Sequence, residues 1–180
     1  MERVDDVMRM VEECLKGNAR SQRRLFKSFY GCAMGVCMRY AGNAEEAEDM
    51  LNEGFVKVFA NLGKYRSTGP FEAWLKKVVA NAALDYRRRF IKDVDLVNFD
   101  DMAYDIPDES VTSALSNMSA KETLELVQTL PETSRVVFNM FVFEGFTHAE
   151  IADRLGITEG TSAWHVNNAR NRLKKMIMDK

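Results

Sequence analysis

Apolar and polar positions along the chain follow a helical period almost throughout, and no stretch alternates strictly enough or long enough to read as a strand. In the first half, apolar residues at three- and four-residue spacing predict helices over 4–15, 19–40, 44–62 and 71–90. The breaks between them, "KGN", "AGN" and "STGP", gather the Gly, Asn and Pro residues that punctuate helices. In the second half, Ser119 and Glu122 have capping-box spacing, Pro131 is expected at the first position of the next helix, and Gly145 is expected to close it. Thr147 and Glu150 repeat the capping-box spacing ahead of "IADRLG", where Ile151 and Leu155 face the core and Gly156 permits a sharp turn. A short helix, a glycine turn and another helix is the helix-turn-helix pattern, although many helical hairpins share it. The expected fold class is all-α.

Charge divides this helical chain into parts that the net value of −2 conceals. Between residues 64 and 92 eight cations, among them Lys77, Arg87 and Arg88, face only Glu72 and Asp85. From 93 to 109 the sign reverses: seven acids occur without a lysine or arginine, and Pro107 interrupts any helical pattern. We therefore expect two small helical domains, 1–92 and 118–180, joined by an acidic linker over 93–117. The last turns, from Arg170 onward, are basic again. Two basic patches across a tether are a bipartite grip on a polyanion, while either run taken singly is equally a solvated helix face.

Composition excludes several function classes. With 46% hydrophobic and 29% charged residues the chain can bury a core. No apolar run approaches membrane-helix length, and "MERVDDVMRM" is acidic where a signal peptide is basic and apolar, so a cytoplasmic location is expected. Cys14, Cys32 and Cys37 lack CxxC spacing and a nearby histidine, so reduced thiols rather than a zinc site are expected, and no cofactor. With no phosphate-cradling Gly-rich loop, only His148 and His165 as histidines, and no paired carboxylates, nothing points to an enzyme.

Three helices carry candidate chemistry. On a helical wheel of "TEGTSAWHVNNARNRLKK", Ser162, Val166, Ala169, Leu173 and Ile177 form the packing arc. Trp164, Asn168, Asn171 and Lys175 point the other way, flanked by Thr161, Arg172 and Asn167, with His165 beside them. Asparagine bonds adenine edges and lysine neutralises phosphate, so this helix suits a major groove; Trp164 is alternatively a packing residue. In the helix over 71–90, Phe71, Leu75, Val78, Val79, Ala82 and Tyr86 make the core stripe, and Trp74, Lys77, Asn81 and Arg88 lie along its flank. An aromatic, an amide and cations are the groups that hold single-stranded DNA, although Trp74 is also placed as a half-buried core residue. In "NAEEAEDMLNEGFVKVF", Leu51, Phe55, Val58 and Leu62 face the core, while Glu45, Asp49, Asn52, Glu53 and Val56 fall elsewhere. Such an acidic face either meets a basic protein surface or is simply solvated.

Together these segments resemble the extracytoplasmic-function (ECF) group of RNA polymerase sigma factors, in the sigma-70 family. "AEDMLNEGFVKVF" resembles region 2.2, "FEAWLKKVVANAALDYRRR" regions 2.3 and 2.4, and the segment from "LPETSRVVF" to "NARNRLKK" region 4. The resemblance implies a dissociable, non-catalytic subunit of core RNA polymerase that recognises promoter DNA and helps melt it. It implies that Asp49, Asn52 and Glu53 dock on the β′ coiled coil, with further contacts to the β subunit. Trp74, Lys77, Asn81, Arg87 and Arg88 are implied to hold the melted minus-ten element. Thr161, Trp164, His165, Asn167, Asn168, Asn171, Arg172 and Lys175 are implied to read the minus-thirty-five element. An anti-sigma partner, possible as a membrane-anchored protein, is also implied. Departures from the family pattern are Asn52, where glutamine is common, and Ala163 and His165, where relatives often carry cations. With Trp164 between them, they imply apolar contact with thymine methyls or sugar edges in place of phosphate contacts. The competing reading is a stand-alone helix-turn-helix regulator, which leaves the acidic helix and the Trp74 row without a role.

Overall fold

A computed structural model describes residues 2–90 and 118–178, and no strand forms among them. The chain divides into two compact units, Met1–Arg87 and Arg88–Lys180. The expected acidic linker over 93–117 lies outside the described residues.

The first unit is built from α1 (Glu2–Leu15), α2 (Ala19–Tyr40), α3 (Ala44–Asn61) and α4 (Phe71–Phe90). Its helix starts are set by asparagines. The Asn18 side-chain oxygen accepts from the backbone N–H groups of Arg20 and Ser21, at 3.0 and 3.2 Å, and that of Asn43 accepts from Glu46 at 2.8 Å. Each such cap satisfies donors that the first turn cannot pair internally, worth about 1 kcal/mol. α3 stops at Asn61, one residue short of expectation, and the chain tightens into a 3₁₀ turn over Leu62–Lys64.

Leu25, Val36, Tyr40, Met50, Val58, Leu75 and Val79 are essentially removed from water and form the centre of this unit. Burial of each large aliphatic side chain stabilises by roughly 1.5–3 kcal/mol before ordering costs are counted. α3 and α4 approach closely at Gly54, where an added Cβ would lie 3.3 Å from Val79 Cγ2. α4 buries more than the expected stripe: Ala80, Ala83 and Leu84 are inside as well, whereas Val78 and Tyr86 are only half-buried. Small residues on this face let the neighbouring helices come close, so the apolar contact spreads around the helix.

The second unit comprises α5 (Ala120–Gln128), α6 (Glu132–Phe138), α7 (His148–Leu155) and α8 (Glu159–Met178). Both expected capping boxes form, Ser119 with Glu122 and Thr147 with Glu150. Pro131 departs by one position. Its ψ of 143° is extended, so it caps α6 from outside rather than occupying the first helical position. The segment after α6 also departs: Asn139–Phe143 widens into a π turn, with Glu144 N–H donating to Asn139 O at 3.2 Å. Gly145, at φ +73°, then ends the helix where expected, because the reversal needs a left-handed residue. Leu126, Val127, Leu130, Phe138, Ala169 and Leu173 form one core cluster. Gly156, at φ +70°, makes the turn between α7 and α8.

Candidate nucleic-acid interface

Chemistry gathers at one end of α4. The loop after the 3₁₀ turn is folded back on itself by the Tyr65 hydroxyl, which donates to Gly69 O at 2.6 Å, and by Ser67 at φ +55°. Non-glycine residues rarely adopt that conformation, so the loop shape is enforced by its surroundings. Tyr65, Phe71 and Trp74 pack together with ring centroids 5.2 to 5.5 Å apart. Between the loop and the start of α4 lies a hollow of about 280 Å³, lined by Lys64, Arg66, Thr68, Pro70 and Trp74 among others. It combines a half-buried indole held by two other rings with cations at its edge, which suits an unstacked base and its phosphate.

Along α4, Lys77 and Arg88 are exposed and Asn81 is half-buried. Arg87 corrects the expected placement. It is only 6% exposed, and its Nη1 donates to the Glu46 carboxylate at 3.1 Å, so it joins α4 to α3 instead of lying on the surface. Periodicity could not show this, because its partner comes from another helix. The loop residues Lys64, Arg66 and Thr68 line this hollow but were not among the expected site residues; Lys64 and Arg66 entered only as part of a charge run, since a loop has no period to read.

α3 presents Glu45, Glu48, Asp49 and Asn52 to solvent, with Glu53 half-buried. Val56 sits among them 69% exposed, one of the few large apolar side chains so uncovered among the described residues. Glu46 is drawn instead toward Arg87 and the Gly42 N–H, and Asp49 accepts from the Tyr86 hydroxyl at 3.4 Å.

In the second unit α8 carries the other row. Asn171, Arg172 and Lys175 are exposed, and Trp164, Asn167 and Asn168 are partly so. Arg172 Nε donates to Asn168 Oδ1 at 3.4 Å, and these residues edge a shallow hollow of about 440 Å³. Two expected members turn inward. Thr161 is 3% exposed, with its hydroxyl 3.0 Å from that of Thr158 and its N–H donating to Thr158 Oγ1 at 3.0 Å. His165 is half-buried, like Trp164, but is tied inward: its Nδ1 lies 3.0 Å from Ser134 Oγ, and burial pushes its pKa down to about 4. Neutral His165 packs edge-on against Trp164, centroids 4.9 Å apart, and so orients the indole. His148 makes the matching contact, its Nδ1 3.0 Å from Ser162 Oγ and its ring stacked on Phe141 at 4.4 Å. Its pKa too is lowered, first by burial.

These surfaces coincide with two recognised families of sequence. The family model for Sigma-70 region 2 matches residues 25–90, and that for Sigma-70 region 4 matches residues 120–173. The chain belongs to the sigma-70 family. The RNA polymerase sigma-H factor of Pseudomonas aeruginosa is 27% identical over 93% of this chain and 92% of its own length. The ECF RNA polymerase sigma factor SigW of Bacillus subtilis is 26% identical over 80% of this chain and 82% of its own. Among solved structures, the sigma factor RpoE of Bartonella quintana, in complex with the anti-sigma factor NepR, is 19% identical with a TM-score of 0.47, covering 87% of this chain and 96% of that one. With regions 2 and 4 in this order, the sigma-70 chain is an ECF-type promoter-recognition subunit of RNA polymerase rather than a stand-alone regulator. Region 2 spans most of α2 through α4, and region 4 spans α5 through most of α8.

Proposed function

We propose that this sigma factor divides its work among three surfaces. The exposed α3 face, with Asp49, Asn52, Glu53 and the uncovered Val56, docks on the β′ coiled coil of core polymerase. The hollow beside Trp74 takes a base from the opened minus-ten element, with Asn81 reading it and Lys77, Arg88, Lys64 and Arg66 on the backbone. The outward row of α8, with Trp164, Asn167, Asn168, Asn171, Arg172 and Lys175, lies in the major groove of the minus-thirty-five element. Thr161, His165 and Arg87 serve by positioning: Thr161 fixes the start of α8, His165 orients Trp164, and Arg87 ties α4 to α3.

The single observation that supports this reading best is the preformed hollow at the start of α4, because opened DNA needs a place to put an unstacked base. The subunit itself performs no covalent chemistry, acts in the cytoplasm, and is held in check by an anti-sigma partner. Among the described residues no helix is long and apolar enough to cross a membrane, and no group of three or more His, Cys, Asp or Glu residues could hold a metal ion. The test is DNA opening by core polymerase with the purified chain, followed by 2-aminopurine fluorescence in the minus-ten segment. Trp74→Ala is expected to abolish the signal while the chain stays on core; an undiminished signal would remove the hollow from the mechanism.

A further inference from the structure

Between Glu13 and Glu45 the chain carries no acidic residue, yet it holds Lys16, Arg20, Arg23, Arg24, Lys27 and Arg39. Within α2, Arg20, Arg23, Arg24 and Lys27 recur at i, i+3, i+4 and i+7, so they share one face, and all four are exposed. This arrangement runs against local electrostatics. The first turn of a helix is the positive end of its dipole and favours acids, but α2 has no acid in its first turn and begins with Arg20. Like charges at these spacings also repel. Several other cations of this unit are matched, Lys57 with Asp85, Lys76 with Glu72 and Arg87 with Glu46. Among the described residues, Arg20, Arg23, Arg24 and Lys27 have no acidic partner within ion-pair distance. A helix that accumulates unfavourable charge at its start fits an external anion that relieves it.

The surroundings say which anion. A groove of about 320 Å³ runs beside these residues, with Phe26 and Phe59 flanking it and Arg23 and Lys27 at its rim. Apolar walls between cations match the alternation of sugar and phosphate along a nucleic-acid strand. The patch lies toward the same end of the first unit as the hollow assigned to the opened strand, although the four cations are on the face of α2 opposite Phe29. Phe29 of α2 meets Phe71 at the start of α4 with centroids 5.1 Å apart, and an added Cβ on Gly63 would come within 3.7 Å of Leu15, next to Lys16. The start of α2, the loop carrying Lys64 and Arg66, and Trp74 thus occupy the same end of the first unit.

We infer that the exposed cationic face of α2, Arg20, Arg23, Arg24 and Lys27 with the groove beside Phe26 and Phe59, is a second DNA-backbone surface that carries promoter phosphates beyond the Trp74 hollow. The inference rests on the promoter-binding reading above and extends it to a helix that reading leaves without a partner. Neutral glutamine at Arg20, Arg23 and Lys27 retains most of the stem length that covers the groove, so the fold is expected to persist.

The experiment uses the full chain, alone and on core polymerase, with labelled mixed-sequence duplex and single-stranded oligonucleotides titrated over a range of salt. The Arg20→Gln, Arg23→Gln, Lys27→Gln variant is expected to lower the slope of log affinity against log salt by about 2 to 3, as three lost phosphate contacts require at 0.7 to 0.9 each. Affinity at low salt is expected to fall at least tenfold on one or both probes, and the probe that loses more identifies the strand form bound. Retention on core polymerase is expected to be unchanged and the melting temperature unchanged or raised, while lysine at Arg20 and Arg23 keeps the slope. Unaltered slopes on both probes would overturn the inference. Loss of core retention with unaltered slopes would overturn it too, assigning the face to an acidic protein surface. Failure of the unsubstituted chain to bind core would count against the promoter-binding reading alone, since the slope arm decides the α2 face without polymerase.

Discussion

The two proposed DNA-reading helices, α4 and α8, each display a tryptophan, asparagine and cations, but they are built in opposite ways. α4 works through a concavity: Trp74 is clamped by Tyr65 and Phe71, and the space is closed by a loop whose shape depends on the Tyr65 to Gly69 hydrogen bond. α8 presents an outward row that edges only a shallow hollow, with Trp164 packed edge-on against a histidine that is itself bonded to Ser134. The difference fits the two substrates proposed for them. An unstacked base must be enclosed on several sides, which takes tertiary structure, whereas a duplex groove accepts any helix with the right outward residues.

The comparison can be broken most sharply by removing Arg87. Truncation to Ala leaves Glu46 facing α4 without its charge-assisted bond, and is expected to cost about 2–3 kcal/mol of region 2 stability, read by thermal denaturation. Arg88→Ala at the exposed neighbouring position should leave stability within about 0.5 kcal/mol and show its effect in DNA binding. Equal stability losses would contradict the placement of Arg87. Next in size is an exchange of phenotypes between the tryptophans. Trp74→Ala should weaken single-strand binding by about 1–3 kcal/mol with duplex binding kept. Trp164→Ala should cost about 1–3 kcal/mol of discrimination at the duplex element with single-strand binding kept. A variant that lost both would show that the two sites do not act separately.

Smaller and pH-dependent is the effect of His165. Its folded pKa of about 4 lies below the unfolded value of 6.5, so the unfolded chain takes up the proton first. Stability of region 4 is therefore full above about pH 6.5, declines as pH falls from there toward 4, and levels off below. His165→Asn should flatten that decline in a melting-temperature profile, while an unchanged profile would mean that His148 or another group carries it. The smallest fold effect is expected at Val56: serine there should leave the melting temperature unchanged within a degree or so, since a solvated side chain contributes little, and show itself as weaker core retention.

The same contrast explains what could be read in advance. Helix limits were legible wherever a side chain caps its own helix, as at Asn18, Asn43, Ser119 and Thr147, because those signals are local. The outward row of α8 was legible for the same reason, apart from Thr161, which Thr158 draws into the helix start, and His165, which bonds Ser134 of a neighbouring helix. Nothing local marks the π turn over Asn139–Phe143, since its apolar pattern reads equally as a continued helix. The hollow beside Trp74 was illegible because its walls come from an aperiodic loop. Arg87 was misread because a helical wheel carries no information about an acid on a neighbouring helix. The charge on α2 escaped attention for a different reason: its residues look like an ordinary solvated face until the lack of acidic partners is seen in three dimensions.

The most direct measurement is transcription by purified core polymerase on fragmented genomic DNA, with and without the chain, mapping RNA 5′ ends. The account predicts starts that depend on the protein and share two upstream elements, the nearer one losing its influence with Trp74→Ala and the farther one with Trp164→Ala. Protein-dependent starts that ignore both substitutions, or no such starts although the chain is retained on core, would contradict it.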